Sequence, residues 1–190
     1  MIPLVLALFF LYPALGQLTL PAHFNWTDCG PHDRLIHIRN FQVSPVPLVL
    51  PGIVNINLEG IVNGTLRNDL TMDVNVKKWT LSHWSSLPCF NNFGSCHYDN
   101  PMGILKDFQS NCGSQGMIGL QCFLAKTFLY PGRMHISNES FTVTHIKDAY
   151  SRFVEGSYRY HLEAKIRGNV IGCLTTDVTV WYIPSGFLYG

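Results

Sequence analysis

Charge is scarce in this chain. Asp, Glu, Lys and Arg supply 13% of its 190 residues, against roughly a quarter in ordinary soluble domains. The formal charge is +1, so there is no basic surplus to hold a phosphate backbone, and nucleic acid is excluded as a partner. Helical periodicity is almost missing, and no strand–helix–strand spacing points to a parallel sheet. No Cys-x-x-Cys, His-x-x-x-His, His-Glu-x-x-His or Gly-x-Ser-x-Gly occurs, which removes the short signatures of disulfide exchange, zinc and hydrolase chemistry. The eight histidines are scattered. No catalytic residue, metal ligand or cofactor is therefore assigned, and the chain is not expected to be an enzyme. Internal repeats and low-complexity tracts are also absent. Apolar residues make up 47% of the chain, which excludes disorder. A chain this apolar and this poor in charge either packs an unusually apolar core or keeps apolar surface for another molecule.

The one uninterrupted apolar run is at the start. No charged residue precedes Asp28, and the run ends in Ala14-Leu-Gly16, with small residues at the third and first positions before a cut. Residues 1–16 read as a secretory signal peptide, leaving residues 17–190 as a single domain. At about a dozen residues the run is short for a membrane span. A membrane anchor is the alternative, kept open by the missing Lys or Arg in front of the run. Entry into the secretory route makes the six cysteines disulfide partners rather than metal ligands. It also gives meaning to three Asn-x-Ser/Thr sequons, at Asn25, Asn63 and Asn138. Glycans there would supply the solubility that sparse charge does not, and would place those segments on the outside.

The middle of the chain alternates at period two. Val54, Ile56 and Leu58 alternate with Asn55, Asn57 and Glu59, and Leu70, Met72, Val74 and Val76 alternate with polar residues. Residues 158–167 repeat the pattern, Leu35–Phe41 is an expected first strand, and Phe141–His145 and Leu174–Tyr182 are less regular ones. The last changes phase near Thr175–Thr176, as a bulge would make it do. Each strand reads as antiparallel with one face inside and one in water. Arg167-Gly-Asn169 reads as a hairpin turn. The only helix candidate is Met102–Phe108, after Pro101. Trp79–Leu129 shows little periodicity. The expected fold is all-β: an antiparallel sandwich or cup with at most one short helix, an up-and-down barrel being the alternative. The inward faces make a core if they close together and a cavity if they are held apart.

Six cysteines allow fifteen pairings. Short spacing favours Cys89 with Cys96 and Cys112 with Cys122, which leaves Cys29 with Cys173. Several segments carry a resemblance: Trp26-Thr-Asp-Cys29, Pro47-Leu-Val-Leu-Pro-Gly52, Trp84-Ser-Ser-Leu-Pro-Cys89, Phe93-Gly-Ser-Cys96, Gly119-Leu-Gln-Cys122, Gly156-Ser-Tyr-Arg159 and Gly172-Cys173. In that order, over nearly all of residues 17–190, the chain resembles the GM2-activator-like members of the MD-2-related lipid-recognition family. The resemblance implies a β-cup with an apolar cavity, a short helix, mobile apolar loops at the mouth, and the same three cysteine pairs. One further family disulfide is missing at both ends, near Tyr98–Asn100 and at Leu124, so no thiol is left over. The loop after Cys96 is correspondingly less tethered.

The expected cavity lining is Val54, Ile56, Leu58, Leu70, Met72, Val74, Val76, Phe141, Val143, Tyr160, Leu162, Ala164 and Ile166. The expected membrane and mouth set is Lys77, Lys78, Trp79, Leu81, Trp84, Phe123, Phe128 and Leu129, because Trp with Lys suits a lipid headgroup zone. Either indole would otherwise be ordinary core. Arg159, between Tyr158 and Tyr160, is a candidate headgroup contact. The expected function is a secreted or lysosomal lipid carrier that takes a glycolipid or phospholipid from a membrane, touches that membrane transiently, and presents the lipid to a partner such as a glycosidase. The alternative is a secreted signalling, immune or toxin sandwich acting through its surface. Nothing in the sequence sets an oligomeric state.

Overall fold

The computed structural model describes residues 22–66, 69–90, 94–101, 131–143 and 154–183, with Phe141 described by its backbone. Residues 1–16, read above as a signal peptide, the helix candidate Met102–Phe108, Cys112, Cys122, Phe123, Phe128 and Leu129 lie outside the described residues. The described strands are β1 (Phe24–Asp28), β2 (Ile36–Ser44), β3 (Leu48–Leu50), β4 (Gly52–Val62), β5 (Leu70–Thr80), β6 (His83–Ser86), β7 (Cys96–Tyr98), β8 (Gly132–Val143), β9 (Gly156–Ile166) and β10 (Asn169–Tyr182).

They form an all-β sandwich of two sheets, with no substantial helix among the described residues. The large sheet runs β1-β10-β9-β5-β6; β3 adds to β10, and β7 adds to β5. The small sheet runs β2-β4-β8. Pairing is antiparallel except for β3, which lies parallel to β10 with Leu48 opposite Val180. The alternation in the sequence becomes the two faces of each sheet. Along β4, Val54, Ile56, Leu58 and Val62 are buried while Glu59 is exposed. On β5 and β9, register places Leu70, Met72, Val74 and Val76 on one face with Ile166, Ala164, Leu162 and Tyr160.

Three sequence expectations shift. The irregularity in β10 falls between Val170 and Gly172, not at Thr175–Thr176, which pair in register with His161 and Tyr160. The phase change read there arises because Thr176, a polar residue, occupies a buried inward position. Phe141 and Val143 end a longer strand, in which Ser137, Asn138, Glu139 and Ser140 interrupt the alternation that buries Met134 and Ile136. The stretch after Trp79 also holds two short strands. β5 turns into β6 through Leu81 and Ser82, both at positive φ (47° and 71°). That suits a tight hairpin without the glycine that normally announces one.

The sheets close along one edge. Phe24 and Trp26 of β1 meet Phe41 of β2, with ring centroids 5.4 and 6.5 Å apart. Asp28 accepts hydrogen bonds from the Ile38 N–H (2.8 Å), from Arg34 Nε and Nη2 (3.1 and 2.9 Å) and from the Gly30 N–H (3.2 Å). Cys29 is bridged to Cys173 beside this hub. At the end near the Arg167–Gly168 turn the sheets share one core: Ile36, Val62, Leu66, Leu70, Met134 and Ile171. Toward the other end there are two cores. Val54, Ile56, Leu58 and Ile136 pack on the small sheet, and Val76, Tyr158, Val178 and Val180 on the large one; Leu48 and Leu50 of β3 touch both.

Candidate functional site between the two sheets

The split of the core places apolar wall between the sheets. On the small sheet the wall is fully packed: Val54, Ile56 and Leu58 are all buried. On the large sheet Leu70 and Val76 are buried, but Met72, Val74, Leu162, Ala164 and Ile166 are half-buried although they face the same way. Ala164 and Ile166 pack against the shared end core, and Val74 and Tyr160 against the large-sheet core. Met72 and Leu162 join none of these clusters among the described residues. Register sets Phe141 opposite Val54 and Val143 opposite Gly52 on edge strand β8, and Val143 is half-buried.

The wall is well covered at its aromatic end. The Tyr158 hydroxyl donates to the Val154 carbonyl at 2.9 Å, and the rings of Tyr158 and Tyr160 are 6.3 Å apart. Tyr160 keeps some exposed surface, yet burial pushes its phenol up to about 12. Burial, with Tyr160 and Glu155 nearby, pushes the Tyr158 phenol up as well. Lys78 closes the inward row of β5. Its ammonium lies 5.4 Å from the centre of the Tyr158 ring, and burial pulls its pKa below the usual lysine value against the opposing pull of Glu155.

The expected mouth residues come together in the β5–β6 hairpin but divide between its faces. Lys78 lies with the inward row. Lys77, Trp79 and Trp84 share the outward face. Trp79 and Trp84 meet edge to face at 5.4 Å, and the Arg159 guanidinium lies 4.5 Å from the centre of the Trp84 ring. Asp177 holds that guanidinium through two hydrogen bonds of 2.7 Å. Arg159 is thus clamped on the outer face of the large sheet. Leu81, at the hairpin tip, is 91% exposed. Val46, Ile53, Trp181 and Ile183 are also exposed, and strand direction gathers all five at the end away from the Arg167–Gly168 turn.

Sequence reasoning passed over Leu48 and Leu50, the side chains common to both separate cores. The signal was present in Pro47-Leu-Val-Leu-Pro51, but a three-residue strand between prolines carries too little periodicity to read. Cys29–Cys173 and Cys89–Cys96 are bridged as expected, and no free cysteine occurs among the described residues. His161 lies beside Cys29 and Cys173, but the two sulfurs are bonded to each other and offer no thiolates to a metal. Phe90, inside the Cys89–Cys96 ring, is exposed. Asn25, Asn63 and Asn138 are all exposed. Asn138 sits at a β-bulge, where its N–H donates to Asn57 Oδ1 at 2.7 Å.

No protein-family model matches the chain. It is 25% identical over 176 residues to the ganglioside GM2 activator of Macaca fascicularis, covering 90% of each chain. It is 25% identical over 155 residues to the ganglioside GM2 activator of Mus musculus, covering 80% of this chain and 78% of that one. The chain is thus an all-β sandwich similar, along most of its length, to ganglioside GM2 activators.

Proposed function

We propose that this protein binds a lipid with its apolar tails between the two sheets, and that it carries the lipid rather than altering it. The observation that carries the reading is the half-covered wall of the large sheet, where Met72 and Leu162 face the small sheet without joining a core. Each tail methylene buried there stabilises the complex by about 0.8 kcal/mol. The exposed Val46, Ile53, Leu81, Trp181 and Ile183 at one end suit transient contact with the membrane that supplies the lipid. Similarity to proteins named ganglioside GM2 activators favours a glycosphingolipid over other lipids, and a glycosidase as the partner that receives it. The same similarity and the residue 1–16 segment favour a secreted or lysosomal glycoprotein, with residues 17–190 as its one domain.

Titration of delipidated protein with a fluorescent acyl-chain probe, over a series of chain lengths, tests the reading. Saturable binding near one to one that weakens steadily as the chain shortens is expected. Met72→Trp should lower capacity while the melting temperature stays near that of the wild type, provided the added ring fits without strain. Absence of saturable binding in folded protein at neutral and acidic pH would overturn the carrier reading and leave a sandwich that acts through its surface.

A further inference from the structure

The small sheet has a second concavity, on the face turned away from the large sheet. It is an open hollow of about 450 Å³ lined by Arg39, Glu59, Ile61, Arg133 and His135, with Gly60 and Met134 at its floor. Register explains how these side chains meet. On β4 and β8, Ile61 lies opposite Arg133 and Glu59 opposite His135. On β2, Ile38 pairs with Gly60 and Asn40 with Glu59, so Arg39 is the extra residue of a bulge. A bulge bends its strand and re-aims the inserted side chain. β2 and β8 flank β4, so the two arginines start about 10 Å apart, within reach of one small molecule.

The electrostatics single these two arginines out. Of the five arginines among the described residues, Arg34, Arg159 and Arg167 are paired with Asp28, Asp177 and Asp69. The other two, Arg39 and Arg133, have no carboxylate partner within salt-bridge distance among the described residues, and both line this cavity. The one carboxylate in the lining, Glu59, lies 3.8 Å from His135 Nδ1. A guanidinium without a partner presents a fork of N–H donors matched to an oxyanion.

We infer that this concavity binds a hexose-sized polar ligand carrying one phosphate or sulfate group. The two guanidiniums take the oxyanion. Glu59 accepts from ligand hydroxyls, and Ile61 backs the apolar face of the ring. The hollow is open and broader than a bare phosphate, which leaves room for a sugar ring beside the oxyanion. This site is on the opposite side of the small sheet from the lipid wall and does not depend on it.

Calorimetric titration of the full mature chain with glucose 6-phosphate is the test, with glucose and inorganic phosphate as comparison arms. Saturable binding of the sugar phosphate is expected, at least tenfold weaker binding of inorganic phosphate, and none of glucose. Arg39→Ala and Arg133→Ala should each weaken binding by tenfold or more with the melting temperature held, and Arg39→Lys, which keeps the charge but not the fork, should fall between. Binding of the acyl-chain probe should be the same in all three variants. Failure of the wild type to bind the sugar phosphate would overturn the assignment, as would binding that survives both alanine replacements in folded protein. Equal affinity for inorganic phosphate would overturn the ligand class.

Discussion

On the small sheet, the inward side chains Val54, Ile56, Leu58 and Val62 of β4 are buried. On the large sheet, the facing rows of β5 and β9 are buried at Leu70, Val76 and Tyr158 but only half-buried at Met72, Val74, Leu162 and Ala164. The two walls are made from the same kind of sequence. Strict alternation marks which side chains look inward; it carries no information on whether another layer covers them. One wall is core along its length; the other is core at both ends, with Met72 and Leu162 outside any cluster of the described residues between them.

The sharpest way to break that comparison is to make the same change on each wall. Leu58→Ala should lose about 2–5 kcal/mol of unfolding free energy, as expected for a leucine in a packed core. Leu162→Ala should lose less, since Leu162 keeps part of its area exposed and joins no core cluster among the described residues, and should weaken binding of the acyl-chain probe as well. Urea denaturation with probe titration on both variants measures it. Equal losses of stability would make Leu162 core and erase the difference between the walls.

A second test concerns the closed edge. Asp28 has only 10% of its side chain exposed and is shared by Arg34, the Gly30 N–H and the Ile38 N–H. Asp28→Ala removes the acceptor of Arg34 Nε and Nη2, which leaves the guanidinium only the Pro31 and Gly30 carbonyls at Nη1, and of the part-buried Ile38 N–H, and should lose about 2 kcal/mol. Asp28→Asn should lose less, because one oxygen still accepts from Ile38. A loss within the scatter of surface substitutions would mean that Phe24, Trp26 and Phe41 close this edge alone.

The smallest expected effect lies on the outer side of the half-covered wall. There His97 of β7 donates to Asp73 of β5 at 2.5 Å and reaches Asp99 at 3.1 Å. Asp73 also accepts from Lys165 of β9 at 2.8 Å, and Lys165 lies 2.8 Å from Glu163. These groups tie three strands together on the outer side of the sheet, behind Met72 and Leu162. Hydrogen bonds from Lys165 and then His97 hold Asp73 below its ordinary 3.8. Hydrogen bonds to Asp73 and then Asp99 hold His97 above its ordinary 6.5. A raised histidine contributes stability that is full below 6.5 and is lost as pH climbs through its folded value. A depressed carboxylate contributes stability that is present above 3.8 and is lost as pH falls through its folded value. The clasp is therefore complete between about pH 4 and 6.5. His97→Gln should narrow the stability difference between pH 5.5 and pH 8 by a small margin, read as a shift in urea midpoint. An unchanged difference would remove His97 from the clasp.

Much of the sandwich was legible because β2, β4, β5, β9 and β10 obey period two. The strands that escaped did so for local reasons. β3 is too short, β6 follows a hairpin turn made without glycine, and in β8 a sequon and a bulge cut short the alternation of Met134 and Ile136. Of the expected lining, alternation picked out the inward rows of β4, β5 and β9 but could not separate Leu58, which is packed, from Leu162, which is not. The indoles at Trp79 and Trp84 were read by composition alone. Their outward direction follows from the hairpin register, which depends on the positive φ of Leu81 and Ser82. The outer concavity was hidden because Arg39 reaches it only through a bulge.

β1 joins the large sheet through β10, with Phe24 opposite Val178, and Cys29 is bonded to Cys173 across 144 residues. The earliest described strand therefore waits for the latest one to be synthesised. While the ribosome is still making the middle of the chain, hairpins such as β5–β6 can form, but the segment around Phe24 and Trp26 has no strand to pair with. Pairings this distant form slowly, and unpaired apolar strands are open to association meanwhile. Phe41 and the Ile38 N–H of β2 are the contacts β1 can make early; its strand partner and its disulfide arrive only with the last strand.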